Sequence, residues 1–243
     1  MHHAHCQDTQ PHTLLRGRCA VRTGLLRSTT APDIGLGVIS THMNYALSLL
    51  GWLLSPTRKI VDIWKRGPPE HSGRVLRLWN MGWFLAEVAL ASVLVVVSAC
   101  YPSARANPFI FLPLLALAWS RVNEVAYAFY CDALSRLAKQ KQSSDLSPSD
   151  RIRMAMKSYV ALGINFALIF HFLPLKEGFT GEMHTFFDAL YFSGVTLATL
   201  GYGDISPINP IARTFALYEV FAGILLVAVA IATYIGASGS NDA

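Results

Sequence analysis

Charge is scarce in this sequence: Asp, Glu, Lys and Arg together make up 14% of the 243 residues, against 53% hydrophobic types. A soluble domain carries about a quarter charged residues, so a soluble globular protein is a poor reading. The scarcity is also uneven, with basic blocks separating long uncharged stretches, as in a chain that crosses a membrane several times. Cysteine is equally sparse. Cys6, Cys19, Cys100 and Cys131 have neither metal-site nor disulfide spacing and read as small buried hydrophobes. No nucleophile–base pair, metal cluster or phosphate-binding loop is recognisable, so neither an enzyme nor a bound cofactor is expected. The formal charge of +5 follows from the placement of the basic loops, and no nucleic-acid partner is expected.

The apolar runs that are present predict an all-α membrane protein. Residues 1–42, with His2, His3, His5 and His12 among arginines, read as a disordered extension or as sequence upstream of a start at Met43. Residues 43–77 are apolar first and basic later, with Trp52 and Trp64 as interface anchors, and predict an amphipathic segment on the cytoplasmic face. Residues 78–141 predict a two-helix membrane hairpin, with spans at about 79–101 and 109–131. A cytoplasmic linker follows at 142–151. Residues 152–236 form one further domain, with spans at about 152–173 and 211–235 around a shorter apolar helix, and 237–243 are a short tail.

Loop charge sets the orientation. Arg58, Lys59, Lys65, Arg66, Arg74 and Arg77 precede the first span, and Arg136, Lys139, Lys141, Arg151, Arg153 and Lys157 follow the second. Arg105 and Lys176 are alone in the opposite loops. Both rich loops, and with them both termini, are expected in the cytoplasm.

Residues 185–210 read TFFDALYFSGVTLATLGYGDISPINP. Thr185 and Asp188 make a capping box for a helix at about 186–198, too short to span. It is therefore read as re-entrant, leading into backbone that is not helical. Such backbone at membrane depth must line a water-filled path or lie inside protein. A row of inward carbonyls can replace the water around a cation, and Gly201 and Gly203 supply the backbone freedom this needs. The inward carbonyls are assigned to Thr199, Leu200, Gly201 and Tyr202, with the Thr199 hydroxyl at the innermost site. The Tyr202 ring is expected to pack against the short helix with Tyr191 and Phe192.

The stretch Thr199–Asp204, TLGYGD, closely resembles the TVGYG selectivity filter of potassium channels, and its flanks resemble the pore domain of two-transmembrane bacterial channels over about 152–236. The resemblance implies two spans around a re-entrant pore helix and filter loop, which with the hairpin makes four transmembrane helices plus a re-entrant pore helix. It also implies a homotetramer in the lipid bilayer of the plasma membrane, passing K+ at Thr199, Leu200, Gly201 and Tyr202. Two positions depart from the pattern. Ala198 stands where many members have threonine, and Val195 where some place a glutamate for the aspartate after the filter. Asp204 is thus expected to find another partner.

Other residues bear on support and gating. Glu219, about 13 Å into the last helix, should be hydrogen-bonded or protonated behind the pore helix. Gly223 is a hinge or a packing glycine. The resemblance puts the first two spans where voltage-gated channels carry a sensor, yet Arg121 is the lone arginine of its helix, which is not a sensor. Glu87 and Arg121 fall at similar depths, about 12 and 15 Å from the inner ends of their helices, and are expected to pair. With no ligand domain after the last helix, control falls to lipid, pH, the loops or a separate regulatory subunit. A weakly selective cation channel and a non-conducting sensor or scaffold subunit are the other readings.

Overall fold

The computed structural model describes residues 51, 54–65, 68–101, 107–137, 145–173, 178–181 and 183–238. The expectations for residues 1–42, for the turn at 102–106 and for the end of the tail lie outside this set. Six helices and two very short strands follow in order: α1 Pro56–Trp64, α2 Pro69–Cys100, α3 Pro108–Leu137, α4 Pro148–Phe172, β1 Phe179–Thr180, α5 Phe186–Leu197, β2 Ser206–Pro207 and α6 Pro210–Ser238. The fold is all-α, and α2, α3, α4 and α6 are long and apolar enough to cross a membrane.

Proline marks where helices begin. All but α5 have proline as their first residue, where its missing N–H is one that a helix start leaves unpaired anyway. Ser55 and Ser147 cap two of these starts through their side chains. Helix α5 uses the Thr185–Asp188 capping box instead. Helix α2 begins ten residues before the expected 79, because Pro69 opens a helix that runs unbroken into the span. Residues 69–77 therefore belong to α2 and not to a separate interfacial segment.

Helix α4 is the centre of the bundle. It touches α2, α3, α5 and α6, and from Ala161 to Phe172 every residue is buried. The other long helices keep much of their apolar surface outward, as a bilayer or neighbouring subunits require. Helix α1 is seated on the hairpin. The Ser55 hydroxyl donates to the Ser120 carbonyl at 3.0 Å and the Thr57 N–H to the Ser120 hydroxyl at 3.2 Å. At the other end of α1, the Trp64 ring meets Trp79 of α2 at 5.5 Å.

Candidate functional site: the pore helix and the turn that follows it

Helix α5 is fixed at both ends by side chains from other helices. At its start, the Phe186 N–H donates to the Ser98 hydroxyl of α2 at 2.9 Å. The Asp188 carboxylate accepts from the Thr185 N–H at 2.7 Å, closing the capping box. In its third turn, the Ser193 hydroxyl donates to the Gly163 carbonyl of α4 at 2.8 Å and also contacts Glu219 of α6. A hydroxyl has one proton to give. That proton is shared between the Gly163 carbonyl and the Glu219 carboxyl, which is 0% exposed. At the helix end, the Tyr159 hydroxyl donates to the Leu197 carbonyl at 2.9 Å.

Leu197 fills a socket between two glycines. A Cβ at Gly223 would meet Leu197 Cδ1 at 2.6 Å, and one at Gly163 would meet Cδ2 at 3.6 Å. Gly223 is thus a packing glycine, whatever bending it also permits.

Beyond Leu197 the chain turns sharply. The Thr199 N–H donates to the Thr196 carbonyl and the Leu200 N–H to the Val195 carbonyl, both at 3.0 Å. This is the paired closure of a Schellman motif, which places one residue in the left-handed region, usually glycine. Here that residue is Thr199, with φ +56°. Left-handed backbone is unfavourable for a β-branched residue by about 1–2 kcal/mol. Gly201 (φ +56°) and Gly203 (φ +84°) are also left-handed, whereas Leu200 and Tyr202 are not. The sign of φ therefore alternates over five residues. Among the described residues, no group donates to the carbonyls of Thr199, Leu200, Gly201 or Tyr202. All of Thr199–Asp204 is exposed on the isolated chain.

The outer end of this stretch is clamped. Strands β1 and β2 pair antiparallel, Thr180 opposite Ser206, and the Ser206 N–H donates to the Thr180 hydroxyl at 3.1 Å. Gly181, at φ +83°, lies so close to the Asp204 carbonyl that a Cβ has no room. The Asp204 carboxylate lies near the Tyr191 hydroxyl.

Phe192 is buried against Phe170 and Phe179, at 5.0 and 5.1 Å, and no ring contact joins it to Tyr202 among the described residues. Phe192 faces α4 because Ala189, Phe192 and Ser193 share the inner face of α5; Tyr202 stays 67% exposed. His171 is likewise an interior residue, 2% exposed against Phe172 and Phe186.

In the hairpin, Arg121 and Glu87 meet at 2.8 Å between Nε and Oε1. Glu124, on the same face of its helix as Arg121, is a third member: it contacts Arg121 Nη1 at 2.5 Å and accepts from the Trp79 indole at 2.7 Å. The guanidinium also lies over the Trp83 ring at 4.8 Å. The signal for Glu124 was its three-residue spacing from Arg121. Tyr159, Ser193, Gly163, Ser98 and Gly181 carried no signal, since each matters only through a partner far away in sequence.

Residues 158–237 match a protein-family model described as "Ion channel". Similar curated proteins include a two pore potassium channel c of Oryza sativa subsp. japonica, 42% identical over 69 residues, or 27% of this chain and 14% of the relative. The voltage-gated potassium channel Kch of Escherichia coli (strain K12) is 38% identical over 64 residues, 26% of this chain and 15% of the relative. The calcium-gated potassium channel TvoK of Thermoplasma volcanium is 30% identical over 97 residues, 40% of this chain and 27% of the relative. The chain thus spans about a seventh to a quarter of the length of these relatives. No solved structure gives a significant match. The capped short helix, the alternating backbone and most of both flanking spans lie within the matched stretch, so residues 158–237 are similar to the pore domains of ion channels.

Proposed function

We propose that the chain is one subunit of a passive, potassium-selective channel, in which four copies surround one pore and Thr199–Gly203 is the selectivity filter. The observation that carries this is the run of four consecutive carbonyls, Thr199 to Tyr202, with no donor among the described residues. Unpaired carbonyls at membrane depth need an alternative partner, and a dehydrated cation is one. Alternating φ turns successive carbonyls towards a common side, which a uniform strand cannot do.

One chain supplies only one wall of such a path. Tyr202, Leu200 and, on α6, Leu217, Phe221 and Ile224 are between 55% and 68% exposed, a surface that fits further copies. The basic loops favour the plasma membrane with both termini in the cytoplasm. With Arg121 the single arginine of the span Pro108–Ser135, paired to two carboxylates, the hairpin is suited to structural support and not to voltage sensing; gating control by a separate subunit is compatible with this reading.

Purified protein in liposomes tests the proposal by flux along potassium and sodium gradients. Potassium flux well above sodium flux is expected. Equal fluxes would reduce the reading to an unselective cation channel, and no flux would favour a non-conducting subunit. Gly203→Ala places a Cβ at φ +84° and should abolish selectivity or conduction.

A further inference from the structure

The cytoplasmic-side half of α2 carries an apolar groove that the pore does not use. It has a volume of about 440 Å³ and is lined by Trp64 of α1 and by Leu78, Trp79, Gly82, Trp83 and Ala86 of α2. Trp64, Trp79 and Trp83 form a continuous edge-to-face row, with centroids 5.5 and 5.8 Å apart. The N–H of one of these rings and a face of another are already engaged elsewhere. The Trp79 N–H is given to Glu124, and Trp83 lies against the Arg121 guanidinium. The groove therefore presents carbon and little else, and suits no ligand that needs hydrogen bonds. Its middle is kept open by Gly82, around whose missing Cβ nothing lies within 4 Å. The groove lies on a helix that is itself apolar enough to span the membrane.

Charge surrounds one end of it. Between Pro56 and Trp79 the sequence has Arg58, Lys59, Lys65, Arg66, Arg74 and Arg77 against only Asp62 and Glu70. Lys65 is paired with Asp62 at 2.6 Å and Arg77 with Asp150 at 3.0 Å. Arg74 is exposed, makes no ion pair among the described residues, and precedes Leu78 of the groove by one helical turn. An apolar slot at membrane depth with a free guanidinium one turn towards the water matches an acyl chain joined to an anionic headgroup.

We propose that this groove is a binding site for an anionic phospholipid of the leaflet on the basic side, its acyl chain against Trp64, Trp79 and Trp83 and its phosphate at Arg74. The orientation rests on the positive-inside reading above; conduction does not enter, so the flux experiment and this one fail separately. The test uses the full-length protein in nanodiscs of phosphatidylcholine containing a minor fraction of phosphatidylglycerol, with bromine on the acyl chains of one lipid or the other. Bromine quenches tryptophan at contact. A basic residue near the surface favours anionic lipid by roughly five-fold. Brominated phosphatidylglycerol should therefore quench about that much more effectively per molecule than brominated phosphatidylcholine. Arg74→Gln should remove the headgroup preference and leave quenching itself in place. Gly82→Phe fills the groove from its open side and should remove the extra quenching while the protein elutes as before. Equal quenching by both lipids, or a preference that survives both substitutions, overturns the proposal. Weak quenching by both lipids would mean that another part of the chain or a second copy covers the groove, and overturns it equally.

Discussion

The Tyr159 hydroxyl of α4 donates to the Leu197 carbonyl at 2.9 Å, two residues before the first left-handed residue of the filter stretch. That carbonyl belongs to the last turn of α5, where helix carbonyls have no partner within the helix. Tyr159→Phe removes the donor and keeps the ring. A cost of about 1–3 kcal/mol is expected for the group left unsatisfied. The variant should unfold at lower temperature, and its potassium flux should fall. An unchanged melting profile would show that water or a neighbour replaces the bond.

The Ser193 hydroxyl donates to the buried Glu219 carboxyl. Glu219→Gln retains an amide oxygen to accept this bond and should be tolerated in both assembly and flux. Glu219→Ala leaves Ser193 with one partner and opens a cavity beside it, with a loss of about 2–4 kcal/mol expected. Thermal unfolding of the two variants separates the cases, and equal damage from Gln and Ala would show that the hydrogen bond does not matter.

Gly223→Ala drives a methyl group into Leu197, and overpacking of this kind costs about 1–3 kcal/mol. A second substitution distinguishes packing from bending. If the glycine is needed for space, Leu197→Val in the Gly223→Ala background should recover part of the lost thermal stability. No recovery, with flux lost in both proteins, would point to the hinge role instead.

Arg121→Gln leaves Glu87 and Glu124 facing each other without a cation, in side chains that are 3% and 7% exposed. Removing one partner of a buried ion pair costs about 3–5 kcal/mol, so the yield of folded protein from membranes should drop sharply. The triple change Glu87→Gln, Arg121→Gln and Glu124→Gln removes every charge and should restore much of that yield. A triple variant as poor as the single one would mean that packing by the guanidinium matters more than charge balance.

Much of this arrangement can be read directly from the chain. Apolar runs bounded by prolines locate the spans, because proline suits a first turn and stops what precedes it. The Thr185–Asp188 spacing marks the start of α5, and Glu87 and Arg121 reveal each other by depth alone. What the chain hides is contact between distant segments. Nothing local in Ser98, Tyr159 or Gly181 announces that each touches the pore helix or the stretch after it. Thr199 is hidden differently, since its left-handed backbone contradicts the preference of a β-branched residue and depends on the closure around it. The direction of Phe192 is hidden too, because adjacency to Tyr191 says little about direction on a helix, where neighbours point about 100° apart.

The bond from the Phe186 N–H to the Ser98 hydroxyl joins residues 88 positions apart. It means that the pore is not a portable cassette. A fragment beginning at α4 would contain the whole filter and both flanking spans, yet its pore helix would start with a bare N–H where the missing hairpin had supplied an oxygen. Grafting this filter unit onto another channel would therefore require a substitute hydroxyl at that one point.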